Sequence, residues 1–320
     1  MKRILVTGGA GFIGSNFIKY FLKAHPKYSI VNLDKLTYCG NLENLKEIEN
    51  NSRYRFVKGD ICDAKLIRKV LKGSEAIIHF AAESHVDRSI VGPSEFIRTN
   101  IYGTYLLLEA AKEYKISQFL QISTDEVYGS RPRGFFKETD VLKPSSPYSA
   151  SKAAADQLVY SYHVTYNLPI KIIRPTNNFG PYQFPEKAIP LFITNALKGK
   201  KVPVYGDGLN VRDWLYVLDN CRAIDFILHK GKIGEIYNVA GNSQMKNIDL
   251  TRLILKTMKK RADLIKFVQD RPGHDRRYAL DSSKIAKLGW RPGHNFREAL
   301  RETIDWYCDN QQWWQPLIGR

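Results

Sequence analysis

"KRILVTGGAGFIGSNFIKYFLK", Lys2 to Lys23, is the stretch that decides the fold. Its apolar start reads as a strand and its glycine cluster as a turn. Phe12, Ile13, Phe17, Ile18, Phe21 and Leu22 then follow the helical period. A signal peptide also sets basic residues before apolar ones, but this apolar run is too short and too rich in glycine. Gly9, Gly11 and Gly14 fit G-x-G-x-x-G, and Gly8 adds another small residue. Such a turn lets backbone approach a pyrophosphate, whose charge faces the N-terminus of the helix, and lets helix and strand pack closely. The next apolar run, "YSIVNLD", ends in Asp34, 20 positions after Gly14. An acid there is placed to bind the ribose hydroxyls of NAD and to repel the extra phosphate of NADP. Lys35, next to it, weakens that discrimination.

Outward from this unit the same rhythm continues. "RYRFVKGDI" reads as a strand ending at Asp60, and "EAIIHFAAES" as one ending near Ala81 and Ala82. "TNIYGTYLLLEAAKEY" reads as one helix, "QFLQI" as a strand, the segment after Tyr148 as a helix and "PIKIIRP" as a strand. Strands alternating with helices predict an α/β fold with a Rossmann-type, doubly wound parallel sheet. Ligands on such sheets lie beyond the carboxyl ends of the strands, where Gly9, Asp34, Asp60, Ala82 and Ser123 fall. After "IIRP" the rhythm becomes irregular and rich in Pro and Gly. The reading is therefore an NAD-binding domain over residues 1–174 and a smaller substrate domain over 175–320. The two are expected to interleave, with "IGEIYNVAG" returning to the sheet.

The composition, 320 residues with 43% hydrophobic and 25% charged, is that of a globular protein. No apolar run approaches the length needed to cross a bilayer, so no membrane partner is expected. Cys39, Cys62, Cys221 and Cys308 form no CxxC pair, and the seven histidines show no HExxH spacing. No metal is expected, and a reducing cytoplasm is the natural setting. The formal charge of +17 suits either nucleic acid or a small anionic substrate drawn by a positive field. The basic runs "KTMKKR" and "KGKK" are short and lack interleaved aromatics, so no nucleic-acid partner is expected.

Two groups carry candidate chemistry. Tyr148 and Lys152 are four apart and share one face of the expected helix. A phenol titrates near pH 10, so service as a base at neutral pH asks for a drop of ~3 units, about 4 kcal/mol. A nearby ammonium and the positive ring of an oxidised nicotinamide both favour the phenolate. On an exposed helix the same spacing would be an ordinary surface pair. The second group is "STDEVYG", Ser123 to Gly129, which sets Asp125 beside Glu126 just past a strand. Two close acids split their titration, because the first charge opposes the second. On an extended segment the two would point apart, so a turn after Thr124 is required if both serve one site.

The chain resembles the extended short-chain dehydrogenases/reductases that modify sugar nucleotides, and among them the dTDP-glucose 4,6-dehydratases. The resemblance rests on "TGGAGFIGS", "AAESHVDRS", "STDEVYG", "RPTNNFGPYQFPEK" and "DRPGHDRRYA", supported by "VYGDGLNVRDWLYV". The epimerases of that branch resemble the chain without the acidic pair. The resemblance implies NAD as cofactor, dTDP-glucose as substrate and a 4-keto-6-deoxy sugar as product. It implies Thr124, Tyr148 and Lys152 as the oxidising triad, Asp125 as acid and Glu126 as base. It implies cofactor contacts at Gly8, Gly11, Phe12, Ile13 and Gly14, at Asp34, Lys35 and Thr37, and at Asp60 and Ile61. Further cofactor contacts fall at Ala81, Ala82, Ser84, Thr99, Tyr148, Lys152 and Asn177. Ser84, Thr124, Asp125, Glu126, Asn177 (or its neighbour Asn178), Lys187, Arg212, Asn247, Arg271 and His274 are implied at the substrate, with Arg212, Arg271 and His274 near its diphosphate. It also implies a homodimer packed through "TNIYGTYLLLEAAKEY" and the helix after Tyr148. Enzymes acting on UDP- or GDP-sugars, and a non-catalytic NAD-binding protein, remain open as alternatives.

Overall fold

The computed structural model describes residues 2–319. Its strands are β1 (Lys2–Thr7), β2 (Tyr28–Asp34), β3 (Tyr54–Lys58), β4 (Ala76–His79), β5 (Gln118–Ile122), β6 (Ile170–Pro175), β7 (Asn177–Phe179), β8 (Val202–Tyr205), β9 (Val211–Tyr216), β10 (Glu235–Val239), β11 (Gln244–Lys246) and β12 (Ile265–Val268). Seven of them form one sheet in the order β10-β6-β5-β4-β1-β2-β3, and every neighbouring pair is parallel. The order reverses between β1 and β4, which leaves a crevice beyond the carboxyl ends of those strands. β10 is the segment expected to return, and it pairs with β6 from Glu235 opposite Lys171 to Val239 opposite Pro175.

Both faces of the sheet are covered, as parallel strands require. Successive side chains alternate faces. Ile4 and Val6 of β1 pack with Phe17, Phe21 and Ile224 on one side. Leu5 points the other way, into a layer with Leu107, Leu108 and Val159. The covering helices are Phe12–Ala24 and Val217–Lys230 on the first face, and Thr104–Glu113 and Pro147–Tyr166 on the second. Two small sheets, β11-β9-β7 and β12-β8, lie in the second half of the chain.

One expected helix differs in form. Within "TNIYGTYLLLEAAKEY" the α-helix covers only Thr104–Glu113, preceded by wider π-type turns over Ile97–Gly103. Asn100, inside those turns, donates from its amide to the Glu83 carbonyl at 3.0 Å and to Ser151 Oγ at 2.8 Å. Its carbonyl accepts from the Thr104 hydroxyl at 2.6 Å. A local widening of this kind is common beside functional sites. Among the described residues no helix is long and apolar enough to cross a membrane.

Candidate active site

The crevice at the reversal of strand order is a cavity of about 300 Å³. Gly8, Gly11, Phe12, Ile13 and Gly14 line one end. The strained position of the turn is Gly8, at φ +72°, one place ahead of the G-x-G-x-x-G register. A methyl group there would stand 2.5 Å from the Ala81 backbone nitrogen, and one on Gly14 would stand 2.5 Å from the Gly8 carbonyl oxygen. Only hydrogen fits at either place. The helix opens at Phe12 with no side-chain cap on its N-terminus, so its free amides face the cavity. This cradle suits a pyrophosphate. Asp34 closes the ribose side. Its carboxylate accepts from the Ala10 amide at 2.9 Å and the Leu36 amide at 2.8 Å, while burial raises its pKa. Lys35 pairs with Asp60 at 2.9 Å. Thr37, Ile61, Ala81, Ala82, Ser84, Thr99 and Asn177 line the same cavity. The donor set therefore fits a dinucleotide of the NAD type.

The other end of the cavity holds Thr124, Asp125, Glu126, Tyr148 and Lys152. The turn that the acidic pair requires is present: Asp125–Tyr128 forms a single 3₁₀ turn. The Thr124 hydroxyl starts it, accepting from the Glu126 amide at 3.2 Å and donating to Asp125 Oδ1 at 3.2 Å. Three residues per turn bring successive side chains about 120° apart, where a strand would set them on opposite faces. Both acids thereby reach one space.

Tyr148 and Lys152 are held by the helix Pro147–Tyr166. Ser146 and Ser149 form a reciprocal cap at its start, and Pro147 takes the first position, where no amide partner is lost. One turn past Lys152, Asp156 is wholly buried and accepts from Arg174 Nε at 2.9 Å and Ser123 Oγ at 2.9 Å. This pair anchors the helix to the ends of β5 and β6. The sequence reading missed Asp156; its spacing of four from Lys152 is the signal that could have found it, but nothing in the sequence marks its partners.

The electrostatics separate the two acids. Burial raises both pKa values. For Asp125 the Glu126 charge adds to the rise and takes it well above the ordinary carboxylate range. For Glu126 three cations, Arg271, Arg212 and Lys187, pull back. Asp125 is thus the better holder of a proton and Glu126 the readier anion. Among the described residues the buried Asp125 Oδ2 has no hydrogen-bond partner. The Tyr148 phenol is raised, first by burial and then by Glu126, with a hydrogen bond to Thr124 acting the other way. Lys152 donates to the Ile122 carbonyl at 2.7 Å. Burial pulls its pKa down to about 8, and Asp156 pushes it back up. Burial and the neighbouring carboxylates thus hold the phenol protonated in the protein alone, and the expected fall needs the positive nicotinamide ring beside the ammonium.

The substrate residues divide. Ser84, Asn177 and Lys187 line the cavity, and Lys187 donates to the Ser84 carbonyl at 2.9 Å. Arg212, Arg271 and His274 lie beyond its lining, close enough for the two arginines to act on Glu126. Arg212 donates to the Asp275 carbonyl at 2.9 Å and stacks 4.2 Å from the centre of the Tyr278 ring. Arg271 bonds Asp87 at 3.3 Å, and its buried Nε has no partner among the described residues. His274 bonds Asp270 at 2.5 Å. Asn247 opens the helix Asn247–Thr257, where its amide donates to the Asn210 carbonyl at 2.9 Å, and the structure does not bring it to the cavity. The sequence reading missed the Tyr38–Cys39 loop and Phe184. Both line the cavity, and the rings of Tyr38 and Phe184 meet edge to face at 5.4 Å.

Comparison with known proteins places these features in a family. Residues 5–303 match the family model described as GDP-mannose 4,6 dehydratase. A dTDP-glucose 4,6-dehydratase of Streptomyces niveus is 51% identical, with 98% of this chain and 95% of the relative aligned. The chain belongs to the dTDP-glucose 4,6-dehydratase family. Among solved structures, the family member DesIV from Streptomyces venezuelae, crystallised with NAD, superposes with a TM-score of 0.97 at 48% identity, covering 98% of this chain and 99% of that one. The UDP-glucuronic acid 4-epimerase of Bacillus cereus also superposes, at 0.90 and 31% identity over 96% and 99% of the two chains. Backbone shape is thus shared by dehydratases and epimerases alike.

Proposed function

We propose that the protein converts dTDP-glucose to dTDP-4-keto-6-deoxyglucose with NAD held in the crevice. The convergence of Asp125 and Glu126 with Tyr148 on one cavity is the observation that carries this reading, because dehydration needs an acid and a base beside the oxidising group. NAD held by the glycine turn and Asp34 would supply a hydride acceptor for C4 of the glucose and a hydride donor for C6, with no net change of the cofactor. Tyr148 takes the proton of the C4 hydroxyl, positioned by Thr124 and Lys152. The resulting ketone acidifies the C5 hydrogen, which Glu126 removes as a proton. Asp125 gives its proton to the C6 hydroxyl, which departs as water. Glu126 then returns the proton to C5. The directions of the two carboxyl pKa shifts support this division of roles.

Arg212 and Arg271, with His274, are assigned to the diphosphate, where guanidinium groups bond phosphate oxygens in pairs. Lys187 and Asn177 are assigned to the sugar end. Residues 1–174 carry the cofactor, and residues 175–320 carry most of the nucleotide contacts. A homodimer is the proposed assembly. Tyr102, Tyr105, Tyr160, Val164 and Tyr166 are exposed on the two helical segments expected to pair, and a second copy would cover them. Four free cysteines support a cytoplasmic setting.

The assay incubates purified protein with dTDP-glucose, UDP-glucose and GDP-mannose in parallel, with no NAD added. The 4-keto-6-deoxy product from dTDP-glucose, measured by mass, is expected. Its absence, or a C4 epimer in its place, overturns the reading.

A further inference from the structure

At the far end of the sheet from the cavity, two helices meet in a second cluster of chemically capable groups. The helix Phe12–Ala24 begins at the cofactor cradle and ends at His25, about 20 Å along its axis at 1.5 Å per residue. The helix Val217–Lys230 brings Asp225 and His229 to the same point from one face, four residues apart. We propose that His25, Asp225 and His229 form a binding site for a divalent transition metal of the zinc class, which ties these two helices together.

One donor atom from each residue lies within 4.8 Å of the other two. His25 Nε2 stands 2.9 and 3.0 Å from the two oxygens of Asp225, and His229 Nδ1 stands 3.0 Å from Oδ1. Zinc bonds of about 2.0–2.1 Å in a tetrahedron set ligand atoms roughly 3.3 Å apart. Loading the site therefore asks each ring to draw back a few tenths of an ångström from Asp225, and the two imidazole nitrogens, within 4.8 Å of each other, to settle at that same spacing. The rings are already oriented. His25 lies 4.4 Å from Phe21 and 4.9 Å from His229, centre to centre, and meets Tyr28 edge to face. Tyr20 donates to Asp225 Oδ2 at 3.1 Å, which fixes the carboxylate as outer hydrogen bonds do at metal centres. Both rings are part-exposed, so water can complete the coordination. The set is two imidazoles and one carboxylate, which suits zinc, cobalt or nickel over calcium or magnesium.

The nearby cations do not fill this role. Lys171 acts on His229, but its ammonium is turned to the carbonyls of Ile227 and Leu228 and to Gln118. Burial pulls its pKa down to about 8. Arg222, which acts through Tyr20, pairs with Asp219 at 3.4 Å. His229 Nδ1 also lies 3.0 Å from the Asp225 backbone carbonyl, so the metal must displace a proton from that contact. Binding therefore weakens in acid. Remote from the cavity, the metal raises the folded population by its occupancy and takes no part in turnover.

Untagged, metal-stripped protein tests this with Zn²⁺ by equilibrium dialysis and thermal unfolding. One zinc per chain is expected, with a rise in Tm. At 100 times Kd the ratio of folded to unfolded chains rises about 100-fold. His25→Gln/His229→Gln should lose both effects and keep dehydratase turnover. Zinc held by the free thiols would survive that double substitution. Undiminished uptake by the variant, or less than one-tenth of a zinc per wild-type chain, overturns the proposal. Co²⁺ bound to the wild type reads the same site without substitution: intense visible bands of a low-coordinate ion are expected, and only the weak bands of the aqua ion refute it.

Discussion

Glu126→Gln separates the two halves of the proposed reaction, because the structure gives this carboxylate opposite effects on each. As the base at C5, its loss removes a proton transfer worth 10²–10⁴-fold, which raises the barrier to elimination by about 2.7–5.5 kcal/mol. As the largest charge raising the Tyr148 phenol, its neutralisation eases phenolate formation. The amide is nearly isosteric, and the side chain is one of the acids that only a 3₁₀ turn brings to the cavity, so the fold should be unaffected. Oxidation at C4 should therefore persist, with its acid limb moved to lower pH, while keto-deoxy product falls at least 10²-fold. The assay mixes variant or wild type with dTDP-glucose across pH 6–9. It follows reduced nicotinamide by absorbance and deuterium uptake at C5 from heavy water by mass. Reduced cofactor should accumulate in the variant and C5 exchange should vanish. Unchanged turnover removes Glu126 from the chemistry. Loss of oxidation and elimination together refutes the opposed electrostatics.

Tyr148→Phe should abolish C4 oxidation, so neither reduced cofactor nor product forms above about 10⁻² of the wild-type rate; a normal rate excludes the phenol as base. Gly8→Ala forces a methyl group to 2.5 Å from the Ala81 nitrogen at a left-handed backbone position, and should lower both Tm and the NAD retained on purification, read as nicotinamide per chain. Asp156→Asn strands the buried Arg174 charge and should cost ~3–5 kcal/mol in urea unfolding, whereas a loss under 1 kcal/mol would show that the pair is not a support. Lys152 sits at about 8 when folded against 10.5 in a free chain, so between those pH values the unfolded chain holds the extra proton and stability rises with pH. At 1.36 kcal/mol per unit this slope totals about 3 kcal/mol, and Lys152→Met should remove it from the difference between the two unfolding curves.

Local signals were enough for the framework. The apolar period switching from strand to helix across Gly8–Gly14, and Asp34 at the end of β2, are short-range features that physics reads within one βαβ unit. Tyr148 and Lys152 share a helix face by spacing alone, and the dehydratase resemblance added roles for Asp125 and Glu126. The sequence also made clear that the acidic pair needed a turn, because alternation along a strand would separate neighbours.

Tertiary structure decided what depends on atoms far apart in the chain. That the turn is a single 3₁₀ turn begun by Thr124, that Arg212, Arg271 and Lys187 tilt Glu126 toward its anion, and that Lys152 spends its ammonium on Ile122 all follow from segments converging in space. Charge acts through distance and burial, and neither is set by position along the chain. For the same reason His25 and Asp225, 200 residues apart, gave no motif to find, though they end in hydrogen-bond contact.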